Sequence, residues 1–350
     1  MSAMPVIDVV IPVYNAPALT RRCIESVVAL LGQSIRYVHV QNDASGVETR
    51  EMLDNLRYES LHVHHAARNQ GFGASVNEAV SRSDAPYVLV LNSDTVVTEN
   101  FLPRLYEALV ADPKLALIIP SGNDYARDKL DRYIRKPGGY VCTHRLRGHA
   151  FLMRRSVFLE IGGFDAAFGR GYYEDTDLGR RLNLRGWQLG VHPDAHILHK
   201  GGGSFGRGQS YMQLVRRNRD LYFSRYPNAS LNVLLLSGNC PLTHFPSSLL
   251  DALDYVFCEG GYVHWLTPGS ARLLLCLQMR GYALGLEALI RLMLRSWHEE
   301  KRISEIWMLP DVPRLSRALI QFWARVRGIK VLPWEWAPTA QSCAASITST

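Results

Sequence analysis

The stretch Tyr87-Val88-Leu89-Val90-Leu91-Asn92-Ser93-Asp94 decides the fold class of this chain. It begins with an apolar run and ends with three polar residues. A short strand that is apolar on both faces is typical of a mainly parallel sheet covered by helices. We therefore expect an α/β fold in which Asp94 stands at the carboxyl edge of the sheet, where such folds bind their ligands.

Similar apolar runs occur on both sides of this stretch, and segments of helical period separate them. The predicted strands are Val6–Val13, Tyr37–Asn42, Leu61–His65, Tyr87–Asn92 and Leu115–Pro120. The predicted helices between them are Ala18–Leu31, Val47–Leu56, Gly73–Ser81 and Phe101–Asp112. This alternation predicts a mainly parallel sheet flanked by helices.

The remaining chain is less regular. Residues 124–142 are polar and predict a long irregular connection, whereas Thr176–Arg185 and Met212–Tyr226 have helical patterns. We expect an α/β domain over residues 1–228, a helical C-terminal region over residues 229–336 and a disordered tail over residues 337–350.

The most regular C-terminal pattern predicts a helix over Ser270–Trp297, with its charges in one sector of the helical wheel and apolar residues elsewhere. The charged residues are Arg272, Arg280, Glu287, Arg291 and Arg295. Two interpretations remain open at this point. The helix packs on the α/β domain, which we favour, or it lies at a membrane interface.

Composition limits the class of protein and of partner. The 350 residues are 47% hydrophobic, as in globular proteins, and the six cysteines show no paired spacing that indicates disulfides or a zinc site. The formal charge of +7 favours anionic partners such as nucleotides, phosphorylated lipids or an anionic membrane, and no nucleic-acid-binding motif accompanies it. We find no secretory signal and no membrane-spanning stretch, so we expect a cytoplasmic protein that at most contacts the inner face of the membrane.

Carboxylates and one histidine carry the chemical signal. Asp94 can bind a hard cation, although the same residues also suit a turn or a helix cap. Glu174, Asp175 and Asp177 crowd together, which raises carboxylate pKa values and suits a general base; a helix start is equally compatible with them. His199 follows an apolar run and precedes three glycines, so it is either structural or a metal or phosphate ligand.

Taken in order, seven short motifs resemble the family 2 inverting glycosyltransferases with the GT-A fold, and most of all their bacterial rhamnosyltransferase-like branch. The resemblance covers about residues 6–225. The motifs are Ile11-Pro12-Val13-Tyr14-Asn15, Asn42-Asp43-Ala44-Ser45, Arg68-Asn69-Gln70-Gly71-Phe72-Gly73, Leu91-Asn92-Ser93-Asp94-Thr95, Gly162-Gly163-Phe164-Asp165, Glu174-Asp175 and Arg185-Gly186-Trp187.

The resemblance implies a nucleotide-sugar donor, a UDP- or dTDP-sugar, and a role for each matching residue. The implied donor-binding residues are Pro12, Tyr14, Asn15, Asp43, Arg68, Gly71, Ser93 and Asp94, with Asp43 receiving the N3–H of a pyrimidine and Gly71 allowing close backbone approach. Asp175 is the implied catalytic base, and Glu174 orients it. His149 and Asp177 are the implied acceptor contacts, although Asp177 also suits a helix cap.

The implied cofactor is Mg²⁺ or Mn²⁺, bound by Asp94 and His199. Asp94 matches the last residue of the family's Asp-x-Asp motif, but Asn92 replaces the first aspartate, so one anionic ligand is missing. The implied acceptor is a glycan or a lipid-linked glycan in cell-surface polysaccharide assembly.

Two other functions were weighed. A sugar nucleotidyltransferase should carry a glycine-rich basic loop after its first strand, and Pro12-Val13-Tyr14-Asn15 is not such a loop. A degenerate, non-catalytic scaffold would be free to lose Asp43, Asp94 and Asp175, which are all present.

Overall fold

The computed structural model describes residues 6–201, 208–267, 273–295 and 302–334. The chain divides into two compact units. Unit 1 comprises residues 1–131 and 135–222, and unit 2 comprises residues 132–134 and 223–350. The division at residue 222 lies close to the predicted boundary at residue 228. The predicted tail, residues 337–350, lies outside the described residues.

Within its described residues, unit 1 holds a nine-stranded sheet covered by helices. The strands are β1 (Ile7–Val13), β2 (Val38–Asn42), β3 (Leu61–His65), β4 (Tyr87–Leu91), β5 (Thr95–Val97), β6 (Leu115–Gly122), β7 (Val141–Thr143), β8 (Ala150–Arg154) and β9 (Gln188–His199). The helices are α1 (Pro17–Leu31), α2 (Val47–Asp54), α3 (Phe72–Arg82), α4 (Leu102–Ala111), α5 (Arg155–Glu160), α6 (Glu174–Leu184) and α7 (Gln209–Arg225), the last of which begins in this unit.

The sheet of unit 1 has the order β3-β2-β1-β4-β8-β6-β9-β5, with β7 paired to β9. Strands β1 to β4 are parallel, which confirms the predicted α/β fold. Strand β8 runs antiparallel to both β4 and β6, and it pairs Ala150 with Leu91. Because β8 runs in the opposite direction, the residues that precede it lie at the carboxyl edge of β4.

Burial explains why these segments adopt their structures. All seven residues of β1 are buried, as expected for a strand covered on both faces. Helix α1 begins at Pro17, whose missing N–H costs nothing in a first turn. It buries Cys23, Ile24, Val27 and Leu31 at helical spacing against the sheet.

Unit 2 contains a second α/β layer. Its described residues form a five-stranded, all-parallel sheet in the order β12-β11-β10-β13-β14. The strands are β10 (Asn232–Leu236), β11 (Tyr262–Thr267), β12 (Met279–Ala283), β13 (Glu305–Met308) and β14 (Lys330–Pro333). The helices are α8 (Ser247–Cys258), α9 (Leu286–Arg295) and α10 (Arg314–Arg327). In the described part of the chain, no helix has the length and apolar character needed to cross a bilayer.

This sheet corrects the prediction that residues 229–336 are helical. The predicted helix Ser270–Trp297 is also wrong over its first half, because β12 occupies Met279–Ala283. Among the described residues of this segment only the shorter α9 is helical, and Leu292 on it packs into the core of unit 2. The segment of β12, Met-Arg-Gly-Tyr-Ala, is too short and too mixed in character for its periodicity to indicate a strand, and it becomes one by pairing with β11.

Candidate active site

A tight turn after β4 starts the site at the carboxyl edge of unit 1. The Asn92 carbonyl accepts hydrogen bonds from the Thr95 N–H (3.1 Å) and the Thr95 hydroxyl (2.7 Å). The Asn92 N–H donates to the His149 carbonyl (2.8 Å), and Thr95 pairs with His199 between β5 and β9. Three separate strands therefore bring Asp94, His149 and His199 together.

Two carboxylates and two imidazoles meet at this edge, and we call Asp94, Asp124, His149 and His199 the cation cluster. His199 lies between the two acids, with Nε2 3.3 Å from Asp94 Oδ1 and Nδ1 2.7 Å from Asp124 Oδ2. His149 Nδ1 is 3.3 Å from the same Asp124 oxygen, and its ring stacks on His199 at 5.0 Å between centroids. One ligand atom each from Asp124, His149 and His199 lies within 4.8 Å of the others, which is close enough to share one ion.

The two histidines of the cation cluster carry different charges. Burial lowers the pKa of His199, but its hydrogen bonds with Asp124 and Asp94 outweigh burial and raise that pKa to about 9. Burial lowers the pKa of His149 to about 4 despite the nearby Asp124 carboxylate. The hydrogen bond from His199 lowers the pKa of Asp124. At neutral pH His199 is therefore protonated and His149 neutral, and an arriving cation must displace the His199 proton.

The backbone around Asp124 shows how it reaches the cluster. Gly122, at the end of β6, has a φ of +150°, and a Cβ there would lie 1.9 Å from the Ile197 carbonyl oxygen. Only glycine allows β6 and β9 to approach so closely. The next residue, Asn123, accepts the His199 N–H (2.8 Å) and donates to the His199 carbonyl (2.6 Å). These contacts hold Asp124 beside His199.

A buried polar atom at the edge points to a ligand. Asn92 Oδ1 is buried and has no hydrogen-bond partner within the described residues. Such atoms usually have a partner, and an ion or a bound polar group would supply one. The donor set of carboxylate and imidazole groups fits a divalent cation such as Mn²⁺.

Asp175 lies in the first turn of α6 and is held from two sides. Its Oδ2 accepts the Gly148 N–H (2.9 Å), and its Oδ1 accepts the N–H (2.6 Å) and hydroxyl (3.2 Å) of Thr176. A Cβ on Gly148 would lie 3.0 Å from Asp175 Cβ, so Gly148 permits this contact. Since Gly148 precedes His149, two consecutive residues connect Asp175 to the cation cluster.

Glu174 differs from its neighbour in environment. It is buried, and Oε2 has no hydrogen-bond partner among the residues that the structure describes. Burial, together with the charge of Asp175, raises the pKa of Glu174 to about 8. Glu174 is therefore mainly protonated at neutral pH, so the pair carries less negative charge than two free carboxylates.

The chain enters α6 through a strained segment. Tyr172 and Tyr173 have φ values of 72° and 71°, which are unfavourable for residues with a Cβ. The buried Asn218 of α7 donates through Nδ2 to the carbonyls of Phe168 (2.7 Å), Gly171 (2.7 Å) and Tyr172 (3.0 Å). One side chain thus holds the backbone that precedes Glu174 and Asp175.

The predicted donor residues of β1 and β2 also lie at the carboxyl edge. Asn15 donates its N–H to Ser45 Oγ (2.8 Å), and its Oδ1 accepts the Gly46 N–H (2.9 Å). Pro12 is buried and Tyr14 half-buried. The ends of the two strands are therefore tied together beside the turn that carries Asp94.

Asp43 and Gly71 have structural contacts that the sequence did not predict. Asp43 accepts the N–H groups of Gln70 (2.7 Å) and Gly71 (2.8 Å), one on each oxygen. A Cβ on Gly71, which has a φ of +92°, would lie 2.4 Å from Arg170 Cα. Gly71 therefore makes room for the backbone of the protein, which corrects the expectation that it makes room for the donor. Arg68 is exposed nearby along the chain.

Two other predictions need correction. Asp177 is fully buried and accepts the Arg181 Nε–H (2.7 Å), so its carboxylate is not available to an acceptor. His149 was predicted to contact the acceptor, but it is only 5% exposed and belongs to the cation cluster. Ser93 is buried in the turn that carries Asp94.

Sequence reasoning missed Asp124 and Asn218. Asp124 follows β6 within a connection that looked irregular, and nothing in its local pattern indicates a ligand. The signal that could have found it is its position four residues after the predicted strand Leu115–Pro120, since that strand ends at the same edge as β4. Asn218 lies on a polar helix and had no distinguishing local pattern.

Comparison with known proteins finds similarity to glycosyltransferases. Residues 8–168 match the family described as Glycosyl transferase family 2. The chain is 24% identical over 208 residues to putative cellulose synthase 2 of Komagataeibacter xylinus, covering 53% of this chain and 13% of that protein. It is 45% identical over 62 residues to the N-acetylglucosaminyl-diphospho-decaprenol L-rhamnosyltransferase of Mycobacterium tuberculosis, covering 18% of this chain and 20% of that protein.

A solved structure shares the fold. The mannosyltransferase PcManGT from Pyrobaculum calidifontis, in complex with GDP-Man and Mn²⁺, aligns with a TM-score of 0.51 and 16% sequence identity. The alignment covers 64% of each chain. Residues 8–168 of unit 1 therefore resemble the family 2 glycosyltransferases, and the shared architecture shows that unit 1 has the GT-A fold.

Proposed function

We propose that unit 1 transfers a sugar from a nucleotide diphosphate donor to an acceptor hydroxyl, with inversion at the anomeric carbon. One observation supports this most strongly: Asp175 and the cation cluster are joined through the consecutive residues Gly148 and His149. In an inverting displacement, the base that activates the acceptor and the site that binds the diphosphate must lie on opposite sides of the anomeric carbon. This edge of the sheet offers both groups on a rigid framework.

Asp175 acts as the base in this proposal. Its carboxylate takes the proton of the acceptor hydroxyl while that oxygen attacks the anomeric carbon, and the bond from that carbon to the diphosphate breaks. The N–H groups of Gly148 and Thr176 fix the direction of the carboxylate. Glu174, which burial keeps mainly protonated, supports Asp175 without adding a second full negative charge.

The cation cluster is the proposed metal site. Asp124, His149 and His199 would hold one divalent cation, which would neutralise the charge of the departing diphosphate, and Asp94 would orient His199 through its other ring nitrogen. Two imidazole ligands favour Mn²⁺ over Mg²⁺, because Mg²⁺ prefers oxygen ligands almost exclusively. The related mannosyltransferase was solved with Mn²⁺, which supports the same choice. The sequence indicated Asp94 and His199 as the ligands; in this proposal Asp124 and His149 join His199, and Asp94 contacts the other nitrogen of its ring.

The donor pocket is proposed to lie between the ends of β1, β2 and β4. Asn15 and Asp43 organise the loops there, and each Asp43 oxygen has a further lone pair that can accept a pyrimidine N–H. A pyrimidine nucleotide, as in a UDP- or dTDP-sugar, is therefore the proposed donor. The other proposed donor contacts are Pro12, Tyr14, Arg68, Ser93 and Asp94.

The proposed acceptor is a glycan or a lipid-linked glycan of cell-surface polysaccharide assembly. The similarity to a rhamnosyltransferase whose name specifies a diphospho-decaprenol substrate supports a lipid-linked acceptor, and it also supports the rhamnosyltransferase-like branch. Because such acceptors reside in membranes, we place the reaction at the inner face of the membrane.

Release of nucleoside diphosphate tests the proposal. The full chain is incubated with UDP-, dTDP- or GDP-sugars and Mn²⁺, and the donor is first chosen by thermal shift, since a ligand at 100 times its Kd stabilises a protein by about 2.7 kcal/mol. We expect EDTA to abolish release and Asp175→Asn to reduce it by roughly a thousandfold. Asp220→Asn is the matched control, because this carboxylate is 61% exposed and pairs only with Arg219 in the described contacts.

The results separate the parts of the proposal. Unchanged turnover in Asp175→Asn would show that another group is the base, and retention at the anomeric carbon, measured by NMR of the product, would exclude a single displacement. Absence of binding by every nucleotide sugar would contradict the proposed function itself.

A further inference from the structure

One face of α10 in unit 2 is largely exposed and apolar. Leu315, Leu319, Phe322 and Val326 are 74%, 51%, 70% and 68% exposed. Successive residues of this set are four, three and four positions apart, so all four side chains fall within an arc of about 60° on the helical wheel. They therefore form one continuous stripe, which we call the α10 stripe.

The opposite side of the same helix is already covered. Ile320, Trp323 and Ala324 are buried in the core of unit 2 together with residues of its sheet. The α10 stripe is thus not needed for that core. Within the described parts of the chain, its side chains remain mostly open to solvent, and large contiguous apolar surfaces of this kind usually mark an interaction site.

The charges of α10 indicate the partner. Its fourteen residues include Arg314, Arg317, Arg325 and Arg327 and no acidic residue. Arg314 and Arg325 are exposed and lie roughly 100° around the wheel from the centre of the stripe, on its open side. Arg317 instead donates to the carbonyl of Pro310 (2.7 Å) at the start of the helix. The nearest acid along the chain is the exposed Asp311, before the helix begins.

We propose that the α10 stripe docks on an anionic lipid surface. Leucine, phenylalanine and valine side chains would enter the boundary between head groups and acyl chains, while Arg314 and Arg325 contact anionic head groups. A second copy of this chain fits less well, because two such faces related by a two-fold axis would bring arginines together without any acid on either helix. The inference goes beyond the proposed sugar transfer and does not depend on it.

Vesicle co-sedimentation with the full chain tests the proposal without any donor or acceptor. The vesicles are phosphatidylcholine containing phosphatidylglycerol, and phosphatidylcholine alone. We expect the wild type to bind the anionic vesicles. Leu319→Ser/Phe322→Ser should lower the affinity for these vesicles by about tenfold or more. Arg314→Gln/Arg325→Gln should lower it by at least about threefold and make binding less dependent on salt.

Matched controls come from exposed positions of unit 1. Val47→Ser/Val110→Ser removes two apolar side chains that are 71% and 55% exposed, and Arg21→Gln/Arg50→Gln removes two surface arginines. Both controls should bind as the wild type does. Circular dichroism should show every variant folded, since the changed side chains are exposed.

Three outcomes would overturn the inference. The wild type could fail to bind anionic vesicles, or the stripe variants could bind as well as the controls. Sedimentation velocity could also reveal a dimer that Leu319→Ser/Phe322→Ser dissociates while vesicle binding is unaffected, which would assign the stripe to contact between copies. Failure of the sugar-transfer assay alone would leave the vesicle result standing.

Discussion

Replacing Asn218 with alanine should loosen the segment that leads into α6. The Asn218 amide is fully buried and supplies hydrogen bonds to three carbonyls, those of Phe168, Gly171 and Tyr172. Alanine removes every one of these donors and leaves a small polar cavity. The Tyr172 carbonyl would then lose the hydrogen bond from Asn218 that helps to keep this segment in the left-handed conformation.

The size of the effect follows from these contacts. A buried carbonyl without a hydrogen-bond partner costs about 1–3 kcal/mol. Water that enters the cavity would supply hydrogen bonds to some of the three carbonyls. We therefore expect the unfolding free energy to fall by roughly 2–4 kcal/mol. Each left-handed tyrosine stores about 1–2 kcal/mol, which the loosened segment can release by moving. A shift of about 1 Å at Asp175 would lower kcat roughly a hundredfold. The KM for the donor should change little, because Asn15 and Asp94 lie on other elements.

Urea unfolding gives the stability, and release of nucleoside diphosphate by fully folded enzyme gives kcat and KM. Gln213→Ala is the matched control, since this amide is exposed on the same helix. Wild-type stability in Asn218→Ala would refute the role of the three hydrogen bonds. A variant that loses stability but keeps the wild-type kcat would show that Asn218 supports the fold without positioning Asp175.

Three further predictions concern the site. Gly148→Ala should lower kcat about tenfold or more, because the added Cβ would press on Asp175. Gly32→Ala is the control, since a Cβ there meets no atom within 4 Å and should leave kcat unchanged. Equal kcat values in the two variants would refute the contact. Glu174 has a folded pKa of about 8, above its ordinary value, so its contribution to stability is present below about pH 4.5 and is lost as pH rises through 8. Chemical unfolding of Glu174→Gln should therefore show a weaker loss of stability over that range, and parallel curves would contradict the shift. Asp124→Asn should weaken Mn²⁺ binding about 10–100-fold in calorimetric titration, and unchanged affinity would remove Asp124 from the ligand set.

Much of unit 1 could be predicted because its signal is local. Strands β1 and β4 are largely apolar runs of seven and five residues, β2 and β3 are more polar, and all four alternate with helices in a pattern that admits few arrangements. Their polar ends therefore had to meet at one edge. In the observed sheet β1 and β4 are parallel neighbours, so Asn15 and Asp94 follow adjacent strands at the same edge.

The sheet of unit 2 could not be predicted from local sequence patterns. Strands β10 and β11 are apolar runs of five and six residues, and such runs also occur in buried helices. Leucine dominates this region and favours helices, so propensity pointed away from a sheet. Only pairing with strands far along the chain makes these segments strands, and pairing is not visible in a single segment.

The cation cluster depends on tertiary structure in the same way. Its four residues follow β4, follow β6, precede β8 and end β9, and they meet because β8 enters the sheet in reverse and Gly122 lets β6 approach β9. The spacing of these four residues along the chain does not indicate that they come together. His149 was consequently assigned to the acceptor, although its ring stacks on His199.

For the proposed divalent cation, charge balance at the assembled edge accounts for the departure at Asn92. With an asparagine at that position, Asp94 alone would leave a divalent cation with too little negative charge, but Asp124 supplies a second carboxylate from another strand. Once His199 gives up its proton, two carboxylates and two neutral imidazoles match the charge of one divalent cation. A third carboxylate at position 92 would add uncompensated charge among buried groups, whereas the amide oxygen of Asn92 can accept or ligate without it. The motif around Asp94 therefore provides only part of the site, and residues at the ends of other strands provide the remaining groups.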